Sequence, residues 1–272
     1  MKIIVICGPT AVGKSDLAIK LAEHFNGEVI NADSMQVYKE MDIGTAKITN
    51  DLGIKHHLID IRNPDEDYSV YEYQKDARKK IEEIRNKGKT PILVGGTGLY
   101  IKAALYDYKF GTTQNEVDSN LSNEELYELV KAKDPHYDVH VNNRNRLISA
   151  LYFDKEQDAK LLYPTIFIGL TLSREKLYER INNRVDEMMN RGLEEEVKSL
   201  DQKYPDSRAL RAAIGYKEIN DYEGIDKLKQ NSRKYAKRQY TWFNNQLPVK
   251  WFNVTNKDYL EEIKQYIEKE SN

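Results

Sequence analysis

The sequence predicts an α/β protein in which a parallel sheet is flanked by helices and carries a small, mostly helical insertion. Short apolar runs alternate with longer helical patterns, as expected when parallel strands are joined by helices. A glycine-rich phosphate-binding pattern joins the first apolar run to the first helix. Between about residues 106 and 163 the alternation stops and no convincing strand is found. The insertion is therefore expected there.

Five short apolar runs are the candidate strands, at residues 3–7, 28–32, 91–94, 165–171 and 249–254. Apolar periodicity predicts helices over 14–25 and 257–270. Two further helices are predicted from their capping residues, one from Ser69 to Gly88 and one from Ser173 to Gly192. We therefore expect residues 1–105 and 164–272 to form the core, with residues 106–163 as a helical subdomain.

Composition excludes several classes of protein. The chain of 272 residues has a formal net charge of −2 and one cysteine, Cys7. A single cysteine excludes an internal disulfide and a multi-cysteine zinc site, and its apolar surroundings predict a small core residue. No apolar stretch approaches the roughly 20 residues that cross a membrane, and the N-terminus does not resemble a signal peptide. A cytoplasmic protein without membrane segments is expected.

The strongest motif is a P-loop that follows the first predicted strand and opens the first predicted helix. Its residues are Gly8, Pro9, Thr10, Ala11, Val12, Gly13, Lys14 and Ser15. The glycines let backbone N–H groups turn inward around phosphate oxygens, Lys14 supplies a cation, and the Ser15 hydroxyl can ligate magnesium. By itself this pattern predicts a P-loop NTPase-like sheet that binds a nucleotide such as ATP.

Two further segments are expected at the same edge of the sheet. Asp33 follows the second predicted strand, either as an acid facing the ligand or as a turn or capping aspartate. Gly95, Gly96, Thr97 and Gly98 follow the third, where the glycines suit close approach to a ligand and Thr97 offers a hydroxyl donor.

Two basic clusters leave two interpretations open. Arg180, Arg184 and Arg191 share one helix face, either to clamp a diphosphate or as a solvated face paired with nearby acids. The stretch 225–246 holds six basic residues, one acid and interleaved aromatics. It is either an RNA-binding surface or a packing helix with solvated lysines.

Taken together, these segments resemble the tRNA dimethylallyltransferase (isopentenyl transferase) family. The matching segments occur in order across nearly the whole chain: 8–15, 31–38, 56–60, 95–100, 180–186, 214–217 and 235–243. The region between Leu105 and Thr165 is shorter than this family's usual insertion, and residues 151–161 match poorly.

The resemblance implies transfer of a dimethylallyl group from dimethylallyl diphosphate to N6 of adenosine 37 in the tRNA anticodon arm. Asp33 would be the general base, Thr97 a donor to the diphosphate, and Lys14, Arg184 and Mg²⁺ on Ser15 would neutralise the leaving group. The enzyme is expected to be a monomer. The implied tRNA contacts are Asp33, Ser34, Met35, Gln36, Thr97, Asn145, Arg146, Leu147, Ile148, Ser149, Ala212, Ala213, Ile214, Gly215, Tyr216, Lys217, Lys237, Arg238, Gln239, Tyr240, Thr241, Trp242, Phe243 and Asn244.

Two other classes of protein share some of these features. A small-molecule kinase would use the P-loop for ATP and Arg180 with Arg184 as lid residues. It leaves the Thr97 loop and the basic aromatic stretch unexplained. A non-catalytic RNA-binding protein with a vestigial P-loop is disfavoured by the intact Lys14, Ser15 and Asp33.

Overall fold

The computed structural model describes residues 2–48, 51–108, 121–152, 159–221 and 224–271. The chain divides into two compact units, one formed by Met1–Leu105 with Leu162–Asn272 and the other by Tyr106–Leu161. The division predicted from the sequence places the ends of the second unit at residues 106 and 163. The catalytic groups predicted from the sequence all belong to the first unit.

The first unit is built on a six-stranded sheet in the order β3-β2-β4-β1-β5-β6, in which every pair of neighbours is parallel. The strands are β1 Ile3–Cys7, β2 Gly27–Asn31, β3 His56–His57, β4 Thr90–Val94, β5 Thr165–Thr171 and β6 Lys250–Asn253. The predicted α/β class with a parallel sheet is confirmed. Five strands lie within one residue of their predicted ends, whereas β3 was not predicted because two residues carry no periodicity.

Eleven helices connect or extend the strands of the described residues. They are α1 Lys14–His24, α2 Val70–Asn86, α3 Gly98–Leu105, α4 Asn123–Lys133, α5 Arg144–Tyr152, α6 Arg174–Asn190, α7 Leu193–Lys203, α8 Arg208–Ala212, α9 Tyr216–Asn220, α10 Ile225–Gln246 and α11 Tyr259–Ser271. The predicted capping box at the start of α2 is present, because Ser69 and Glu72 bond each other's backbone N–H groups. None of these helices is long and apolar enough to cross a membrane.

The core of the first unit lies between the sheet and the helices α1 and α11. Leu17 and Leu21 of α1 and Ile263 of α11 are fully buried against strand residues. Burying each such side chain contributes about 1.5–3 kcal/mol, so the apolar face of α1 holds the P-loop at its N-terminus against the sheet. Cys7 is also fully buried, but because side chains alternate along β1 it lies on the other face of the sheet from Ile4 and Ile6. Burial raises the pKa of its thiol to about 12, in agreement with the expected core role.

In the second unit, α4 and α5 pack together through their apolar faces. Leu126, Val130 and Leu147 are fully or almost fully buried in one cluster with Val139. Ser122 caps α4 with a second capping box, through Glu125. The described part of this unit is therefore helical, as the sequence predicts.

The strand order decides where the site can form. The strands β2, β4 and β1 are consecutive neighbours and run in the same direction, so their carboxyl ends meet at one edge. The chain leaves these ends at Ala32, Gly95 and Gly8, the starts of the three segments singled out in the sequence. Open α/β sheets bind ligands at this edge.

Candidate active site

The P-loop makes a tight turn between β1 and α1. Gly8 and Gly13 have φ angles of 135° and 99°, which strain any other residue, and Ala11 also adopts a positive φ of 62°. A Cβ on Gly8 would lie 2.6 Å from the carbonyl oxygen of Leu170. The loop therefore turns sharply and delivers the N-terminus of α1, with its unpaired N–H groups, to the sheet edge.

Two cations converge on this loop. Lys14 Nζ donates to the carbonyl oxygen of Pro9 at 2.7 Å, and Arg184 Nη1 from α6 lies 3.4 Å from Thr10 Oγ1. Burial, and secondly the charge of Arg184, lowers the pKa of Lys14 to about 8, against a smaller raising effect of Asp33. Burial also lowers the pKa of Arg184. Since the two cations disfavour one another here, an anion bound between them is strongly stabilised.

Asp33 is held in place by its neighbour Asn31. The Asn31 side chain accepts from the Asp33 N–H and donates to the carbonyl oxygens of Asp33 and Leu58, each at 3.0 Å. Asp33 Oδ1 accepts from the N–H of Met35 at 3.0 Å. The turn role of Asp33 is therefore present, because one oxygen closes the turn, and the residue also lines the cavity described below, as an acid that faces a ligand must.

The loop after β4 packs directly against the segment after β2. The N–H of Thr97 donates to the carbonyl oxygen of Ala32 at 3.1 Å. Thr97 Oγ1 accepts from the N–H of Ser34 at 3.0 Å and lies 3.3 Å from Ser34 Oγ. A Cβ on Gly98 would lie 2.0 Å from the ring of Trp242. The glycines of this loop were expected to let a ligand approach the backbone closely. At Gly98 the group that approaches the backbone is instead the Trp242 side chain.

These elements surround a cavity of about 740 Å³. Its polar lining comes from the P-loop, Asp33, Ser34, Arg184 and Arg238. The apolar part of its wall contains Val29, Ile48, Ile59, Ile181, Val185, Met188 and Leu228. Binding sites for small molecules combine a mostly apolar wall with a few charged groups in this way. The arrangement suits a ligand with a phosphate end and a small hydrocarbon end.

Three arginines lie together beside the P-loop, two of them on α6 and the third directly after its last residue. Arg180, Arg184 and Arg191 line a second cavity of about 370 Å³ that also contacts Ala11. In the part of the chain that the structure describes, neither Arg180 nor Arg191 forms an ion pair, although Glu187 lines the same cavity. The shared helix face predicted from the sequence is thus present. Arg184 alone of the three also lines the larger cavity.

The segment that contains His56 and His57 has a structural role. His57 Nε2 contacts Glu28 Oε2 at 2.7 Å, and Lys87 and Lys89 donate to the same carboxylate. Burial raises the pKa of Glu28, but the hydrogen bonds from His57, Lys89 and Lys87 outweigh burial and lower this pKa to about 2. This ionic cluster anchors β3 and the end of α2 to β2.

Glu196 positions the loop that borders the cavity, a role that the sequence analysis missed. Its carboxylate accepts from the N–H groups of Ile43 and Gly44 at 2.8 and 3.1 Å, and from the Tyr216 hydroxyl at 2.5 Å. Gly44 lies so close to the Tyr216 ring that a Cβ would come within 2.4 Å of it. The acidic run at the start of α7 gave no sign of these partners, because Ile43 and Gly44 lie more than 150 residues earlier in the chain and Tyr216 lies 20 residues later.

Replacing Glu196 with glutamine is expected to lower the free energy of unfolding by about 1.5–3 kcal/mol, since charge-assisted bonds to several donors are lost. Denaturant unfolding of both proteins measures the difference. Glu194→Gln is the control, because Glu194 is exposed on the same helix and its contact with Lys198 is 3.9 Å long. Equal losses in the two variants would contradict the positioning role.

The predicted tRNA contacts on α10 divide between two faces. Gln239 and Phe243 are buried, with exposed fractions of 5% and 0%. The exposed predicted contacts on this helix are Lys237, Arg238, Tyr240, Thr241 and Asn244. One face of α10 therefore packs in the core and the other presents cations and an aromatic ring to solvent, an arrangement that both interpretations of the basic aromatic stretch require.

The remaining predicted contacts lie on α5 and around α8 and α9. Ala212 and Lys217 are exposed, whereas Ala213, Gly215 and Tyr216 are buried. Ser34, Met35, Gln36, Ala212, Ala213 and Ile214 all line the larger cavity. On α5, in the second unit, Arg146 is exposed, Ile148 is partly buried and Leu147 is fully buried.

The parallel sheet, the P-loop with two partly buried cations and the acid at the same sheet edge define a P-loop α/β protein whose site suits a phosphorylated ligand. A sequence model described as IPP transferase matches residues 36–246, and one described as isopentenyl transferase matches residues 1–63. The chain belongs to the IPP transferase family. The family and the prenyl transferase class predicted from the sequence are confirmed.

Individual relatives agree with this assignment. The tRNA dimethylallyltransferases of Anoxybacillus flavithermus and Geobacillus thermodenitrificans are 49% and 48% identical, over 98% of this chain and 96% of each relative. The solved tRNA isopentenylpyrophosphate transferase of Bacillus halodurans is 42% identical, with a TM-score of 0.79 over 99% of this chain and 96% of that one. The Anoxybacillus alignment spans 300 positions, more than the 272 residues of this chain, so the relative carries residues that this chain lacks.

A more distant solved structure is a eukaryotic dimethylallyltransferase described as acting on tRNA. It is 29% identical, with a TM-score of 0.79 over 97% of this chain and 77% of that one. The names of these relatives match the transferase interpretation and not the kinase alternative.

Proposed function

We propose that this protein transfers the dimethylallyl group from dimethylallyl diphosphate to N6 of adenosine 37 in the anticodon loop of tRNA, releasing diphosphate. The observation that carries the proposal is the single cavity that joins the P-loop cations to the Asp33 carboxyl group. The names of relatives that are 46–49% identical support it. We further propose that the enzyme acts in the cytoplasm as a monomer.

The P-loop end of the cavity would bind the diphosphate. Lys14, Arg184 and the N–H groups at the start of α1 neutralise the charge that develops as the bond between carbon and oxygen breaks. The electron pair of that bond leaves with the diphosphate. Because Lys14 and Arg184 already lie in a desolvated site, their attraction for the leaving group is stronger than it is in water.

The protein side of the site fits a magnesium ion. Mg²⁺ is commonly held by one or two protein oxygens together with substrate phosphates and water, so a protein cage is not required. Ser15, in the first turn of α1, lines the cavity with Asp16. No cluster of three or more His, Cys, Asp or Glu side chains with metal-binding geometry occurs among the described residues. Ser15 would hold the ion, which supplies further charge neutralisation at the diphosphate.

Asp33 would be the general base at the other end. Its Oδ1 is engaged by Met35, and Oδ2 lies 3.8 Å from where a Cβ on Gly96 would be. As N6 of adenine forms a bond to the first carbon of the dimethylallyl group, the amine loses a proton to Asp33. The adenine must leave its stack to reach this cavity, so the base would be flipped out of the anticodon loop.

The exposed face of α10 would bind the phosphate backbone of the anticodon arm. We expect tRNA affinity to fall steeply with salt, because binding cations release counterions from RNA. Lys237→Ala should weaken binding and reduce the slope of log K against log salt concentration by about 1. Lys269→Ala on α11 is the control. If the slope does not change in the Lys237 variant, α10 is a packing helix with solvated lysines.

A prenylation assay tests the proposed function. The purified protein is incubated with dimethylallyl diphosphate, Mg²⁺ and a tRNA that carries adenosine 37, and the modified nucleoside is measured by mass spectrometry. Replacing dimethylallyl diphosphate with ATP gives the negative control. Tight calorimetric binding of ATP with weak binding of dimethylallyl diphosphate, and no modified nucleoside, would favour a kinase.

A further inference from the structure

The segment after β3 has a strained backbone at the edge of the cavity. Leu58 and Asp60 have φ angles of 61° and 56°, in the left-handed region that favours glycine. Ile59 lies between them, is partly buried and lines the cavity. Such conformations persist only where the surrounding structure enforces them, and they cluster at binding sites. The strain therefore points to a function for the placement of the Ile59 side chain.

Hydrogen bonds from distant residues enforce this turn. The side chain of Asn31 donates to the carbonyl oxygen of Leu58 at 3.0 Å, and the N–H of Asp60 donates to the carbonyl oxygen of Gln36 at 3.3 Å. Lys47 Nζ donates to Asp60 Oδ1 at 2.5 Å, and this contact is an ion pair. Charge-assisted hydrogen bonds are roughly twice as strong as neutral ones. The contact with Lys47 is therefore the strongest of the three.

Lys47 is a buried cation that none of the proposed chemical steps uses. It is 8% exposed and lines the cavity. Besides Asp60, its Nζ donates to the carbonyl oxygen of Tyr38 at 2.6 Å and to Asp42 Oδ1 at 2.7 Å. An ammonium group has three protons, so these three acceptors leave none for a diphosphate. Lys47 therefore acts on the protein around the cavity and not on the phosphate end of a ligand.

The ion pair between Lys47 and Asp60 joins two loops, and each loop contributes an isoleucine to the cavity wall. Ile48 directly follows Lys47, and Ile59 directly precedes Asp60. Both isoleucines are partly buried and line the cavity. Because residues that are adjacent in the chain move together, the bond from Lys47 to Asp60 fixes the separation of these two apolar side chains.

The strand order places Ile59 at the far end of the cavity from the P-loop. The P-loop follows β1, Asp33 follows β2 and Ile59 follows β3, and the strands lie in the order β3-β2-β4-β1. Neighbouring strands are about 4.8 Å apart, so three spacings separate the two ends by roughly 14 Å. A ligand with its diphosphate at the P-loop and its reacting carbon beside Asp33 therefore directs its hydrocarbon end toward Ile59.

We propose that Ile48 and Ile59 close the hydrocarbon end of the cavity and select a five-carbon prenyl diphosphate over a longer one, with Lys47 and Asp60 as the residues that position them. This inference rests on the proposed function and assigns its selectivity to named residues. A longer chain has to displace a wall that the ion pair and the enforced turn hold in place.

The first test removes part of the wall. Ile59→Ala deletes three carbon atoms, and calorimetry with Mg²⁺ measures the affinities for dimethylallyl diphosphate and for geranyl diphosphate, whose chain has ten carbons. Wild type should bind dimethylallyl diphosphate more tightly. In Ile59→Ala this preference should shrink about tenfold or more, since one methylene group in an apolar pocket changes specificity by about 10–200-fold. Ile225→Ala is the control, because Ile225 is 39% exposed and does not line the cavity. An unchanged preference in Ile59→Ala would overturn the proposal.

The second test breaks the ion pair and leaves the wall residues in place. Asp60→Ala should weaken binding of dimethylallyl diphosphate about tenfold, in the range expected for a lost apolar contact, and should not change the affinity for inorganic diphosphate, which has no hydrocarbon. Asp60→Asn should restore most of the affinity, because its amide oxygen can accept from Lys47 and asparagine tolerates the left-handed conformation. Lys47→Met should behave like Asp60→Ala, with the exposed Lys39 as the control in Lys39→Met. Equal losses for both ligands would overturn the positioning role.

These binding measurements need no tRNA, so they remain decisive if the proposed function fails. Wild-type protein that binds dimethylallyl diphosphate but does not prenylate tRNA would contradict the proposed function and leave the comparison of prenyl chains intact. Wild-type protein that binds inorganic diphosphate and dimethylallyl diphosphate equally well has no site for the hydrocarbon, and this result would overturn the selectivity proposed for Ile48 and Ile59.

Discussion

Replacing Asp33 with alanine is expected to lower kcat by about 10²–10⁴-fold, the usual contribution of a positioned general base. The affinity for dimethylallyl diphosphate should survive, because the diphosphate is bound by Lys14, Arg184 and the P-loop. Single-turnover prenylation gives the rate, and calorimetry gives the affinity. Asp65→Ala is the control, since Asp65 is exposed in the loop before α2.

Asp33→Asn separates the chemical role of Asp33 from its structural role. The amide oxygen of asparagine can still accept from the N–H of Met35, so the turn is preserved, but asparagine cannot take a proton from adenine. We expect a rate as low as that of the alanine variant. A rate near that of wild type in the asparagine variant, or a loss of diphosphate binding in the alanine variant alone, would show that Asp33 acts only through the turn.

The other large effect is expected at Lys14. Lys14→Met should lower kcat by about 10²–10³-fold, comparable with the loss of one preorganised group that stabilises developing charge. It should also weaken binding of inorganic diphosphate. The exposed residue Lys20 on the same helix provides the control variant Lys20→Met. Equal affinities of wild-type protein and the Lys14 variant for diphosphate would contradict this role.

The pKa of Lys14 predicts how binding depends on pH. In the free protein Lys14 is charged below a pH of about 8 and neutral above it. The advantage of wild type over Lys14→Met in diphosphate affinity should therefore shrink as pH rises through 8. The free energy of unfolding responds to pH in the opposite direction to diphosphate affinity. Between pH 8 and the ordinary lysine pKa of 10.5, the unfolded chain binds more protons at Lys14 than the folded protein does. In that window the free energy of unfolding rises with pH.

Features that depend on neighbouring residues could be predicted from the sequence. The P-loop, the strand ends and the capping box at Ser69 all depend on residues within about one turn of each other. The placement of Asp33 followed from the rule that parallel strands end at one edge. Its role in the turn remained one of two alternatives, because the partner of Oδ1 depends on how the following turn folds.

The supports of the site depend on contacts that no local pattern shows. Gln239 meets residues 229 and 143 positions earlier in the chain, at Thr10 and Gly96. The spacing of Tyr235, Gln239 and Trp242 predicts a shared face, but not what that face contacts. The same holds for Glu196, whose backbone partners lie in the loop after β2. In each case the polar side chain gains its role only when distant backbone groups are brought beside it.

The two faces of α10 have a thermodynamic consequence. One face carries the cations proposed to bind RNA, and the other holds the P-loop and the Gly96 loop through Gln239. If RNA changes the position or the rigidity of this helix, the affinity for dimethylallyl diphosphate changes by some factor. Linkage then requires dimethylallyl diphosphate to change the affinity for RNA by the same factor. The two substrates of the enzyme would therefore not bind independently.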